Sequence, residues 1–86
     1  MAYTVELKPA AVRDLKKLDR GNQKRVARVI DGLQDEPRPA GIRKVQYARN
    51  LYRAKAGDYR MLYQIDDENS HLLVVRIRHR REVYRQ

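Results

Sequence analysis

Alternation of apolar and polar positions divides the chain into elements of two kinds. Tyr3, Val5 and Leu7 are separated by Thr4 and Glu6, a period of two that predicts a half-buried strand. Pro9 then opens a helix, where a missing amide hydrogen does no harm. Val12, Leu15 and Leu18 give that helix one apolar stripe. Asp19, Arg20, Gly21 and Asn22 interrupt the pattern, and a second helix carries Val26, Val29, Ile30 and Leu33 on one face until Pro37 and Pro39 close it. Two short amphipathic helices joined by so tight a turn form an antiparallel hairpin, and each needs a surface to cover.

The second half supplies that surface. Residues 51–56, 59–66 and 72–78 read as three strands, linked by Gly57-Asp58 and by the polar turn Asp67, Glu68, Asn69, Ser70. Links this short favour antiparallel neighbours. Residues 41–50 predict a short strand or bend around Val45. Strand parity then sorts the side chains: Tyr59, Met61, Tyr63 and Ile65 share one face, as do Leu73, Val75 and Ile77, and both rows are expected beneath the helices. Arg60, Arg76 and Arg78 point the other way, and Arg53 and Lys55 join them if Tyr52, Ala54 and Ala56 face the helices. The expected fold is therefore α+β, a two-helix hairpin packed on one face of a small, mainly antiparallel four-stranded sheet. Residues 1–86 are expected to form one domain, since a chain this short has room for a single thin core.

Composition sharpens this picture. Cysteine is absent, so neither disulfides nor a thiolate metal site supplements the core. All six aromatic residues are tyrosines, each with a hydroxyl that seeks a partner or water. The N-terminus lacks the charged start and long apolar run of a signal peptide, and no later run approaches membrane-spanning length, so the cytoplasm is predicted and no membrane partner is expected. Net charge is +9 with a pI near 10.3, which predicts a polyanionic partner. Residues 1–40 contribute +3 and residues 41–86 contribute +6, placing the anion on the second half. Five like charges on one sheet face repel one another unless an anion neutralises them. Lys and Arg stems that merely solvate an open face are the bland reading, but solvating faces usually mix both signs.

The basic strand ending in Gly57, the run Asp-Tyr-Arg-Met-Leu-Tyr-Gln-Ile-Asp at 58–66, and the last strand leading into His-Arg-Arg-Glu-Val-Tyr-Arg at 79–85 closely resemble the RelE family of bacterial and archaeal toxins. The Leu-Lys-Lys-Leu stretch at 15–18 and the proline-marked exit fit as well, so the resemblance covers essentially the whole chain. It implies a helical hairpin on a curved sheet similar to small microbial ribonucleases, ribosome-dependent cleavage of mRNA within the A-site codon, and inhibition by a RelB-like antitoxin, acidic and partly disordered, that wraps the toxin. By position, the resemblance assigns catalytic roles to Lys55, Arg60, Arg80 and Tyr84. Arg53 stands where the family has the first lysine of a pair, and the segment before Tyr84 is shorter than in well-known members. Arg53, Arg76, Arg78, His79 and Arg81 are the expected RNA-binding residues.

Such residues suit cleavage by the RNA's own 2′-hydroxyl, with a 2′,3′-cyclic phosphate (or the 3′-phosphate) and a 5′-hydroxyl as products and no metal or other cofactor needed. Arg60 and Arg80 suit the phosphate, because a planar guanidinium holds two oxygens at once and a fixed cation counts most where charge develops. Lys55 lies between Arg53 and Arg60, where like charge favours its neutral form and makes it a candidate base. Tyr84 can stack on a base or relay a proton through its hydroxyl. An imidazole ordinarily titrates near neutrality, so His79 reads either as a further proton-transfer candidate or as a structural residue at the strand's end, while His71 reads as a bystander and Glu82 as an arginine partner. Two other functions compete: a ParE-like poison of DNA gyrase, which shares the fold and needs no ribonuclease residues, and a non-enzymatic RNA-binding module.

Overall fold

The computed structural model describes residues 2–46 and 48–83. Its elements are β1 (Thr4–Leu7), α1 (Pro9–Lys16), α2 (Arg20–Asp35), β2 (Arg43–Lys44), β3 (Tyr52–Ala56), β4 (Tyr59–Asp66), β5 (His71–His79) and α3 (Arg80–Val83). Pro9 stands at the first turn of α1, as its ring geometry favours. Of the four residues that interrupt the pattern, 19–22, the first is the cap of α2 and the other three are its start. The Asp19 carboxylate accepts the Asn22 amide at 2.8 Å and caps the helix from Arg20 onward, Gly21 included.

Five strands, rather than the four expected, form one sheet in the order β1-β5-β4-β3-β2. The meander β3-β4-β5 is antiparallel, β2 adds to β3 antiparallel, and β1 lies parallel to β5 after the chain has crossed over the sheet through both helices. The strand expected near Val45 is Arg43–Lys44, and the Val45 amide donates to the Leu51 carbonyl at 2.8 Å. The β3–β4 link is two residues long, with Gly57 at φ 62°, the positive value that the first position of a glycine-led hairpin turn requires.

The helix-facing core contains Ala11, Val26 and Leu33 from the helices, Ala54 and Ala56 from β3, Met61, Tyr63 and Ile65 from β4, and Leu72, Val74 and Ile77 from β5. Small residues on β3 let α2 lie close to the sheet. Tyr63 is wholly buried, and its hydroxyl donates to the Pro37 carbonyl at 2.9 Å, which satisfies the one polar atom it brings inside. Burial also raises the Tyr63 pKa well above that of a free tyrosine.

Parity fails in one place. On β5 the core residues are Leu72 and Val74, whereas Leu73 and Val75 are not; only Ile77 lies as expected. The register explains it: Leu62 pairs with Arg76 and Tyr63 pairs with Val74, so Val75 is an extra residue opposite no partner. A bulge of this kind flips the facing of everything on one side of it.

The same region shows how β5 is closed at its edge. Pairing with β1 ends at Val74, where the Lys8 amide donates to the Val74 carbonyl at 2.9 Å. Beyond it, Asp14 of α1 takes over, accepting the Ile77 amide at 3.0 Å and two bonds from Arg76 at 2.7 and 3.1 Å.

Candidate functional site

Two rows of residues cross the open sheet face. Lys55, Arg60 and Arg78 are register partners on β3, β4 and β5, and Arg43, Arg53, Leu62 and Arg76 form the next row. Neighbouring strands lie about 4.8 Å apart, so the three cations of the first row fall within about 10 Å. A cleft of about 290 Å³ opens over these rows, lined by Gly41, Arg43, Arg53, Lys55 and Arg60. Arg43 was not singled out from the sequence. Its segment has no clear period, and only the pairing of β2 with β3 brings it beside Arg53.

Arg60 is the most buried charged residue described, at 8% exposure. Its Nη1 donates to the carbonyls of Gly57 and Tyr59, both at 3.0 Å. Arg60 also lines the cleft. The guanidinium is thus fixed by the β3–β4 turn yet able to offer a further arm to an anion, the preorganisation that electrostatic stabilisation needs. Lys55 beside it is exposed and Arg53 is half-buried.

The other candidates occupy different settings. Arg78 binds Glu82 of α3 at 2.9 Å, so Glu82 is the arginine partner it was read to be. Arg80 opens α3, where its amide donates to the Asp58 carbonyl at 2.8 Å and its Nε lies 3.9 Å from the Asp58 carboxylate. Both side chains are more than half exposed, so the backbone bond does most of the holding. Arg60 and Arg80 therefore share one anchor, the Gly57-Asp58 turn. Arg81 is exposed on α3. Tyr84 lies outside the described residues.

One expectation for the cationic face needs correction, and His79 takes the strand-end position that the sequence also allowed. Arg76 is drawn to the sheet edge by Asp14, which neutralises it. Burial alone would raise the Asp14 pKa, but the Arg76 guanidinium and the Ile77 amide outweigh it and hold the carboxyl below its ordinary value. His79 pairs in register with Tyr59, on the helix-facing side of the sheet, and the two rings meet edge-on at 5.4 Å. Its Nδ1 accepts the Arg81 amide at 3.2 Å, which orients the ring as a strand-end fixture rather than a member of the cationic row. His71 sits at the far end of β5 beside Glu6, 3.1 Å away.

The fold, with the helices on one face of a five-stranded sheet and a fixed arginine and a lysine on the other, is similar to that of toxins from type II toxin–antitoxin systems. The chain belongs to that family: residues 5–84 match the family model of the ParE toxin of the type II toxin–antitoxin system parDE. Within the broader RelE/ParE grouping it is 36% identical to toxin RelG of Mycobacterium tuberculosis over the full length of both chains. It superposes on a chain of the archaeal RelE–RelB complex from Pyrococcus horikoshii with a TM-score of 0.82 and 27% identity, covering 93% of this chain and 97% of that one. A chain of the toxin–antitoxin complex RelBE2 from M. tuberculosis gives a TM-score of 0.81 and 32% identity, covering 92% and 99%.

Proposed function

We propose that this toxin is a ribosome-dependent endoribonuclease that cuts mRNA in the A site, working as a single domain in the cytoplasm. The observation that carries the proposal is the row Lys55–Arg60–Arg78 beside the cleft, with Arg60 held by the turn that also receives Arg80. In this reading Lys55 takes the 2′-hydroxyl proton, that oxygen attacks the adjacent phosphorus, and the 5′-oxygen leaves with a proton from a neighbouring donor, Tyr84 being the candidate. Arg60 and Arg80 hold the phosphate oxygens as charge develops on them. Arg43 and Arg53 bind the flanking phosphates. Among the described residues no strong base lines the cleft, so the ribosome supplies the alignment of hydroxyl and phosphate that free RNA lacks. The RelE and RelBE2 chains that this fold matches sit in complexes with antitoxins. For this chain too we infer a cognate antitoxin, acidic and partly disordered, that covers the basic surface.

The family model matched over residues 5–84 bears the ParE name and favours a second reading, a poison of DNA gyrase acting through protein contacts. In vitro translation with primer extension separates the two. Cuts inside A-site codons, reduced about 10²–10⁴-fold by Lys55→Ala, support the ribonuclease. Because Lys55 is exposed, that variant should keep its stability within about 0.5 kcal/mol, so lost cleavage is not lost folding. Intact messages together with gyrase-dependent DNA breaks would sink the ribonuclease reading. If Lys55→Ala weakened RNA binding as much as it weakened cutting, a binding module without chemistry would be the better description.

A further inference from the structure

The helix layer carries a second cationic surface, away from the cleft. On α2, Arg20, Lys24 and Arg28 recur every four residues with Arg25 beside them, all exposed. Arg13 and Lys16 of α1 and Lys17 just after it are exposed as well. The acids within this stretch are Asp14, engaged by Arg76, and Asp19, the cap of α2. Among the described residues none of these cations makes an ion pair.

Helix stability does not account for the pattern. α2 has no acidic residue in its first turn and no basic residue in its last, where Asp35 stands. Its cations thus crowd the positive end of the helix dipole and its acids the negative end. Spacing of four also stacks like charges over one another from Arg20 to Lys24 to Arg28. Both arrangements weaken the helix by itself, and both become favourable once a polyanion lies along the ridge.

The chemistry of the ridge selects the polyanion. Val26 and Leu33, the apolar side of α2, are buried on the sheet, so the helix has no face left to insert into lipid. Residues 8–36 contain no aromatic side chain, so there is no platform on which single-stranded bases could stack. What remains is a line of point charges about 12 Å long from Arg20 to Arg28, suited to a duplex backbone read by shape and charge. The ridge also reaches the turn that anchors Arg60, from the side of the sheet opposite the cleft. A Cβ on Gly57 would lie 3.1 Å from Arg25 Nη1, so Arg25 touches from the helix side the same turn whose carbonyl anchors Arg60. At the opposite end of the molecule, Asp67 of the β4–β5 turn binds Arg38 just past the acidic end of α2, so the charge distribution is polar and favours approach with the basic end first.

We propose that the N-terminal half of α2, with the end of α1, is a docking surface for double-helical RNA, distinct from the cleft. The choice of RNA over DNA rests on the ribonuclease reading; the surface itself does not depend on cleavage. The test is fluorescence anisotropy of a blunt-ended RNA duplex across a salt series, comparing the full-length protein with the triple variant Arg20→Gln, Lys24→Gln, Arg28→Gln. The variant is expected to bind at least about tenfold more weakly near 0.1 M salt, with a log–log salt slope shallower by about 2–3. Its urea midpoint should be unchanged or higher, because the substitutions relieve repulsion within the helix. Wild-type affinity and slope in the variant would overturn the proposal. So would tighter binding of the wild-type protein to a DNA duplex of matched sequence, or to phosphatidylserine vesicles, at the same salt. The readout contains no cleavage, so a negative translation assay and a negative duplex assay point to different failures.

Discussion

Asp14→Ala should be among the most damaging single substitutions in this protein, although nothing in the local sequence marks the residue. Its side chain is 12% exposed and accepts three hydrogen bonds, two from Arg76 and one from the Ile77 amide. Removing it leaves the Ile77 amide, on β5 beyond the pairing with β1, without an acceptor, a cost of about 1–3 kcal/mol for a buried donor. Breaking a fully buried ion pair from one side costs about 3–5 kcal/mol, but Arg76 is 39% exposed and can recover water, so a smaller part of that applies. Together these give a loss of about 2–4 kcal/mol, set against a total stability of about 5–15 kcal/mol for ordinary domains. At about 4–8 °C per kcal/mol, the expected fall in Tm is about 8–32 °C. Urea unfolding at constant m-value is the assay. Asp14→Asn keeps an acceptor for the Ile77 amide and should lose about 1–2 kcal/mol only. The pH dependence has a definite sign. The folded pKa of Asp14 lies below its ordinary 3.8, so the unfolded chain binds more protons as the solution is acidified. The stabilisation is complete above that ordinary value and is lost as pH falls through the folded one, so the gap between wild type and Asp14→Ala should narrow in acid. A loss under about 1 kcal/mol near neutral pH, or equal losses for Ala and Asn, would refute this account of the β5 edge.

Two further substitutions probe other joints of the fold. Tyr63→Phe removes the hydroxyl that satisfies the Pro37 carbonyl and should lower stability by about 1 kcal/mol in denaturant titration; an unchanged midpoint would mean the bond contributes nothing net. Gly57→Ala places a Cβ against Arg25 in a residue at φ 62°, and should cost about 1–2 kcal/mol. Because the same residue's carbonyl holds Arg60, the proposed ribonuclease predicts that RNA cleavage falls further than the loss of folded protein explains, a difference that normalising activity to folded fraction will expose.

Much of the fold was legible because it depends on local periodicity. A period of two marks β1, β3 and β4, a helical period marks α1 and α2, and the Gly57-Asp58 link dictates a hairpin; these follow from which residues neighbour each other along the chain. The grouping of Lys55 with Arg60 was legible for the same reason, since a two-residue turn sets the register on both sides of it. Residues 43–44 were harder, because a two-residue strand has no period to detect, and Arg43 enters the cleft only through its pairing with Arg53.

The row of cations first read as five shows where local inference ends. By itself the sequence determined that Arg53, Lys55, Arg60 and Arg78 share the open face, and the net charge made an anionic partner the natural expectation. Only the tertiary structure decided that β5 carries an extra residue at Val75, that Arg76 turns to Asp14, and that His79 belongs with Tyr59 on the helix side. Each of these depends on a partner far away in sequence: a bulge is a mismatch between two strands, and Asp14 lies 62 residues from Arg76. Parity and periodicity are properties of one segment, whereas bulges, edge caps and ion pairs belong to two segments at once and exist only when the chain has folded.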